Sequence, residues 1–214
     1  MEQLASGAEP VSRLPAPWVR TAAWLAIGII DLAMFVLVMS PRKDLAAALG
    51  HPSFVVEQLA ALATGITAGF AAFVSVVPGC NRRVLLLPLL PLAAWMLSVG
   101  GGCAAAWIRS GPAGLTLTSD WACLPAIAAI GAIPAVLMAL MLRRGAPLSP
   151  PLTAVLGGLA AAGLGNFGLR FCHAEDASLM VLVWQMGSVL LLTVAAGIVG
   201  RRILGWKTLV RAAQ

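Results

Sequence analysis

The run LTAVLGGLAAAGLGNFGL, residues 152–169, decides the fold class. It carries no charged side chain, and Thr153 and Asn166 are its only polar ones. Its 18 residues approach the roughly 20 needed to span a hydrocarbon core about 30 Å thick. Gly157, Ala161 and Gly165 recur four apart, and Gly158 with Ala162 adds a second small row. In lipid such rows let two helices approach closely.

Five more stretches read the same way: residues 22–39, 54–77, 84–106, 123–142 and 179–199. A backbone in lipid must satisfy its own polar groups, so each is predicted to be a helix. The first is too long for a signal-peptide core, and no small-x-small cleavage site follows it closely. The expected architecture is all-α: a polytopic membrane protein with six transmembrane helices. One domain covers residues 1–214, with an N-terminal arm (1–21), a bundle (22–200) and a tail (201–214). Composition agrees, since 60% of the 214 residues are apolar, 10% are charged and the mean hydropathy is +0.95. A soluble domain carries about 25% charged residues. An ordinary soluble enzyme, a disordered regulator and a disulfide-framed secreted domain are thereby excluded.

Lys and Arg in short connections set orientation. Ten of the 14 fall on one side: Arg13, Arg20, Arg82, Arg83, Arg143, Arg144, Arg201, Arg202, Lys207 and Arg211. Arg42, Lys43, Arg109 and Arg170 fall on the other. Both termini are therefore expected in the cytoplasm. The net charge of +6 reads as membrane orientation, and no direct nucleic-acid binding is expected.

The four cysteines form no CxxC. Cys123 opens the fourth span and Cys172 follows the fifth, 24 and 25 residues from Pro147 in the turn between them. At 1.5 Å per helical residue both thiols reach the same height at the outer face. Cys103 sits at a similar level, and Cys80 belongs to the inner side. Helix packing, a disulfide, a soft-metal site and a thiol sensor are the readings open to the outer pair. His173, Glu175 and Asp176 follow Cys172 directly and are candidate auxiliary ligands, as is Cys103, while His51 lies on the same side. Asp176 or Ser178 is expected to cap the sixth helix. Asp31 is the acid nearest mid-depth of a span. It serves either a proton- or ion-coupled transporter or a quiet role bonded to Asn166 or a backbone carbonyl. Glu57 is expected to be merely interfacial. Pro88, Pro91, Pro125 and Pro134 are expected to kink the third and fourth spans. The chain shows no GxSxG, HExxH or phosphate loop, so no catalysis is expected.

Short motifs occur in a set order along nearly the whole chain. Pro10-Val11-x-Arg13-Leu14-Pro15 precedes the first span, and Trp121-Ala122-Cys123-Leu124 enters the fourth. Arg143-Arg144-Gly145-Ala146-Pro147-Leu148 links the fourth and fifth. Cys172 with Glu175-Asp176, then Trp184 and Gly200-Arg201-Arg202, complete the series. Together they resemble the NrsF-type membrane anti-sigma factors, negative regulators of an extracytoplasmic-function sigma factor, sigma-F. The resemblance implies a six-helix protein of the bacterial inner membrane that holds its sigma factor inactive until a stress, notably heavy metal, is felt. It aligns Cys123 and Cys172 with the two sensing cysteines. Pro10, Val11, Arg13, Leu14, Pro15, Arg143 and Arg144 become candidate sigma-factor contacts. The implied partners are the sigma factor and the lipid bilayer. No cofactor is required beyond a transient soft metal ion at the cysteine pair.

The charge asymmetry makes a direct prediction. In intact cells an impermeant thiol reagent should label Ser110→Cys and leave Ser149→Cys untouched. Labelling of both from outside overturns the six-span arrangement.

Overall fold

The computed structural model describes residues 14–111, 123–145, 147, 149–172 and 187–203. Its helices are α1 (Pro17–Met39), the short α2 (Leu45–Leu49), α3 (Pro52–Ser75), α4 (Leu89–Ser110), α5 (Cys123–Leu142), α6 (Pro150–Leu169) and α7 (Gly187–Ile203). A 3₁₀ turn, Arg82–Leu86, leads into α4. No strand occurs among the described residues. Four helical stretches are long and apolar enough to cross a membrane: α1, α3, Arg82–Ser110 and α6.

Several helices begin earlier than apolarity alone predicts, and proline explains it. Pro17, Pro52 and Pro150 open α1, α3 and α6. A helix's first residue has no use for the missing N–H, and the ring presets φ. The third span is corrected the other way. It enters through the 3₁₀ turn, where Asn81 Oδ1 accepts from the Arg83 N–H at 3.0 Å, and α4 starts only at Leu89. Pro88 is its N-cap, and Pro91 and Pro125 fall in the first turns of α4 and α5. Of the four prolines expected to kink, only Pro134 lies in a helix beyond its first turn. Residues 179–186 of the sixth expected span lie outside the described residues.

α6 is the axis of the bundle, with α1, α3, α5 and α7 packed around it. Fourteen of its 20 residues are buried. The tightest backbone-to-backbone approach between helices is not along the expected Gly157–Ala161–Gly165 row. It lies between Gly163 of α6 and Gly65 of α3, where a Cβ on Gly163 would sit 2.9 Å from the Gly65 backbone nitrogen. A Cβ on Gly65 would in turn meet Ala160 O and Leu164 N at 3.3 Å. Gly157 faces α5 instead, beneath Met138 and Leu142.

The remaining helices dock through size-matched pairs. Leu164 fills the space over Gly28, and Leu32 of α1 fills the space over Gly168. Trp24 of α1 is fully buried over Gly69 of α3. Its Nε1–H donates to Pro134 O of α5 at 2.9 Å, so the indole's polar atom is satisfied where its ring packs. α4 packs on α3 through the buried Trp95 and Val99. Its other face, with Leu90, Leu97 and Ile108, is exposed.

Gly163→Ala should destabilise the protein by roughly 1–3 kcal/mol, because backbone rather than a flexible side chain stands in the way. Gly100→Ala, where nothing lies within 4 Å, should instead stabilise by about 0.5–1 kcal/mol. Thermal unfolding in detergent compares them. Equal Tm values for the two variants would remove the Gly65–Gly163 seam from the account.

Candidate functional site

One end of the bundle gathers the start of α1, the ends of α3 and α5, and the start of α6. Arg20 is buried there. Its Nη2 donates to Met141 O of α5, and its guanidinium lies 4.5 Å from the Phe73 ring of α3, within cation–π range. Ser75 and Thr153 share a hydroxyl–hydroxyl hydrogen bond of 2.8 Å between α3 and α6. Interhelical bonds of this kind average about 0.6 kcal/mol in a membrane, so they set register more than stability. Arg143 and Arg144 are exposed in the turn between α5 and α6, and Arg82 and Arg83 are exposed before α4. No Asp or Glu occurs within residues 14–20, 76–88 or 143–149. Leu14 and Pro15 are exposed at the same end, whereas Pro10, Val11 and Arg13 lie outside the described residues.

The opposite end holds a buried ionic cluster that the sequence reading missed. The Arg42 side chain is fully buried, and its Nε and Nη2 donate to Asp44 Oδ1 and Oδ2 at 2.8 and 2.6 Å. Its guanidinium stands 5.7 Å from the Phe54 ring, and that of Arg170 stands 5.3 Å from the same ring. Arg170 Nε lies 3.5 Å from Glu57 Oε1, both side chains nearly buried. The Arg42 backbone N–H donates to Phe171 O at 2.8 Å. Glu57 is therefore a buried ion-pair partner rather than an interfacial acid. Arg42 and Arg170 had signalled only sidedness in the sequence, where nothing relates them to an aromatic ring that far along the chain.

Cys172 adjoins this cluster. It is half-buried and free of any disulfide, lies just beyond α6, and donates its N–H to Leu169 O. Burial pushes its thiol pKa up. Cys123 is the first residue of α5, and its side chain lies outside the description, as do His173, Glu175, Asp176 and Ser178. α5 and α6 have 20 residues each, about 30 Å apiece, so two antiparallel helices end level. Cys103 is half-buried on α4, which packs on α3 rather than on α6. Cys80 is half-buried in the turn between α3 and α4, at the Arg20 end. Among the described residues no group of three or more His, Cys, Asp or Glu could hold a metal ion. His51 is exposed as the N-cap of α3.

Asp31 is half-buried on α1. The expected bond to Asn166 is not formed. Asn166 Nδ2 donates to Ala162 O within its own helix at 2.9 Å, and Asn166 Oδ1 has no partner among the described residues. The buried face of α1 runs through Arg20, Trp24, Gly28 and Leu32, and Asp31 stands on the flank of that face.

A long apolar bundle with nearly all its charge at its two ends, Asp31 on the flank of α1 apart, is the design of a helical membrane protein. Within that class the sequence is decisive: residues 4–206 match the family described as negative regulator of sigma F, NrsF. The chain belongs to that family. No curated protein and no solved structure matches it.

The Asp44 carboxyl is held down to about 2, from an ordinary 3.8, by hydrogen bonds from Arg42. A carboxyl lowered on folding adds stability that is complete above its ordinary range and is lost as pH falls through the folded value. The Arg42–Asp44 pair should thus stay intact from pH 8 to about 4 and fail only near 2. A carboxyl-carbon NMR titration of Asp44 checks this, and a midpoint near the ordinary value would show the pair unformed.

Proposed function

We propose that this protein is a six-span anti-sigma factor of the bacterial inner membrane with both termini in the cytoplasm. It sequesters an extracytoplasmic-function sigma factor and releases it when Cys123 and Cys172 meet a heavy metal or an oxidant outside. The match to negative regulators of sigma F over residues 4–206 carries this reading. The Arg20 end supports it further. It presents Arg82, Arg83, Arg143 and Arg144 with no carboxylate in the described segments that carry them, a surface suited to an acidic partner. The arm starts beside that surface and would order on the sigma factor at an entropic cost. Neither catalysis nor a resident cofactor is needed.

At the other end the two thiols bind a soft cation as thiolates, or an external oxidant joins them as a disulfide. The raised thiol pKa of Cys172 means metal capture must displace a proton, so affinity rises with pH.

One reporter strain tests both halves. Deleting residues 2–15 should raise transcription from the sigma-dependent promoter while the protein still inserts. Cys123→Ser, Cys172→Ser and the double variant should share one loss of cadmium induction, and Cys80→Ser should respond normally. Unchanged transcription after the deletion overturns the arm's role. Normal cadmium induction in the double variant overturns the sensor.

A further inference from the structure

We propose that the Arg42–Phe54–Arg170 cluster is a latch that couples the Cys172 segment to α1 through a strained hinge at Ser40. The proposal rests on the reading of Cys172 as the thiol that receives the signal. Two independent features of the fold meet in it, the buried clamp and the backbone of Ser40.

The clamp joins three elements. Arg42 comes from the link after α1, Phe54 and Glu57 from the start of α3, and Arg170 with Phe171 from the end of α6. Its closeness to Cys172 is covalent: Phe171, whose carbonyl accepts the Arg42 N–H, is the preceding residue. A cation or a disulfide that draws Cys172 aside must pull on Phe171 O and on the Arg170 guanidinium. Arg42 keeps Asp44 of its own link, but Arg170 and Glu57 come from different elements and are both nearly buried. Parting them leaves each charge uncompensated and makes the clamp two-state rather than elastic.

The hinge lies two residues before Arg42. Ser40 has φ 67° and ψ 132°, and no other non-glycine residue among those described has positive φ. A side-chain-bearing residue holds such a conformation only where its surroundings over-determine it. Here the surroundings are a rigid 23-residue α1 on one side and the fully buried Arg42 on the other. When the clamp opens, Ser40 relaxes and α1 moves as a rod. Its far end carries Arg20 and the root of the arm, about 34 Å away. A signal at one end of the bundle thereby shifts the population of arm positions at the other.

The full chain in membrane vesicles, in a Cys80→Ser/Cys103→Ser background with Ala16→Cys as reporter, tests the latch. Maleimide labelling at residue 16 is followed by mass spectrometry with and without cadmium ion. Cadmium should change the labelling rate about fivefold or more. Phe54→Leu, which removes the ring that both guanidiniums approach, should shift the cadmium-free rate toward the cadmium-bound value. Ser40→Gly, which removes the strain and leaves the clamp and the packing in place, should do the opposite and shrink the cadmium response. A merely structural role gives no such opposed pair. If the parent responds and both variants respond as it does, the latch is overturned and the sensor stands. If cadmium neither changes the parent's labelling nor induces the reporter strain, sensor and latch fall together.

Discussion

Backbone meets backbone where Gly163 of α6 crosses Gly65 of α3, and the rest of the bundle is arranged around that crossing. Lipid tails are as apolar as leucine, so burial alone does not drive helices together in a bilayer; close packing does. The two helices that make the crossing are also the most buried, and they carry Thr64, Thr153, Gln58 and Asn166 away from lipid. The Thr64 hydroxyl and the Asn166 Nδ2 donate to carbonyls one turn back in their own helices, which satisfies those donors without asking anything of a neighbour. α1 and α4 remain mostly exposed and read as lipid-facing walls.

Apart from Asp31 on α1, charge gathers at the two ends, and the ends are built differently. At the Arg20 end the exposed arginines have no acidic residue in the described segments around them, a surface that attracts. At the Arg42 end the arginines are sunk against Phe54 and matched by Asp44 and Glu57, a surface that holds. Between the two ends Trp24 ties α1 to α5 through its bond to Pro134 O.

Apolar runs made the helices legible in the sequence, and α5 begins and ends where its composition says it should. The other boundaries slipped where proline intervened, because proline is absent from an apolarity count yet welcome at a helix start. Gly163 was hidden beside a more regular row. The eye follows four-residue spacing along one helix, whereas the crossing depends on a glycine of another helix a hundred residues away. The ionic cluster was illegible for a related reason. Arg42 and Arg170 were counted as topology markers, and no periodicity announces that both will stack on one phenylalanine. Helix lengths in the sequence suggest the Cys123–Cys172 pair; α5 and α6 have 20 residues each, and the Cys123 side chain lies outside the described residues.

The crossing between α3 and α6 also sets an order of assembly. α3 leaves the ribosome with its glycine face complete, but the helix that fills that face is made only after α4 and α5 have followed. During that interval α3 must reside in the bilayer with Thr64 and Gly65 uncovered, screened at most by α1 and α4. The Thr64 bond to Ala60 O within its own turn makes the wait tolerable, since the hydroxyl has its partner before any neighbour arrives. Arrival of α6 then covers that face, with α7 packing on α6 after it, so a chain cut short before residue 150 lacks the helix around which the bundle packs.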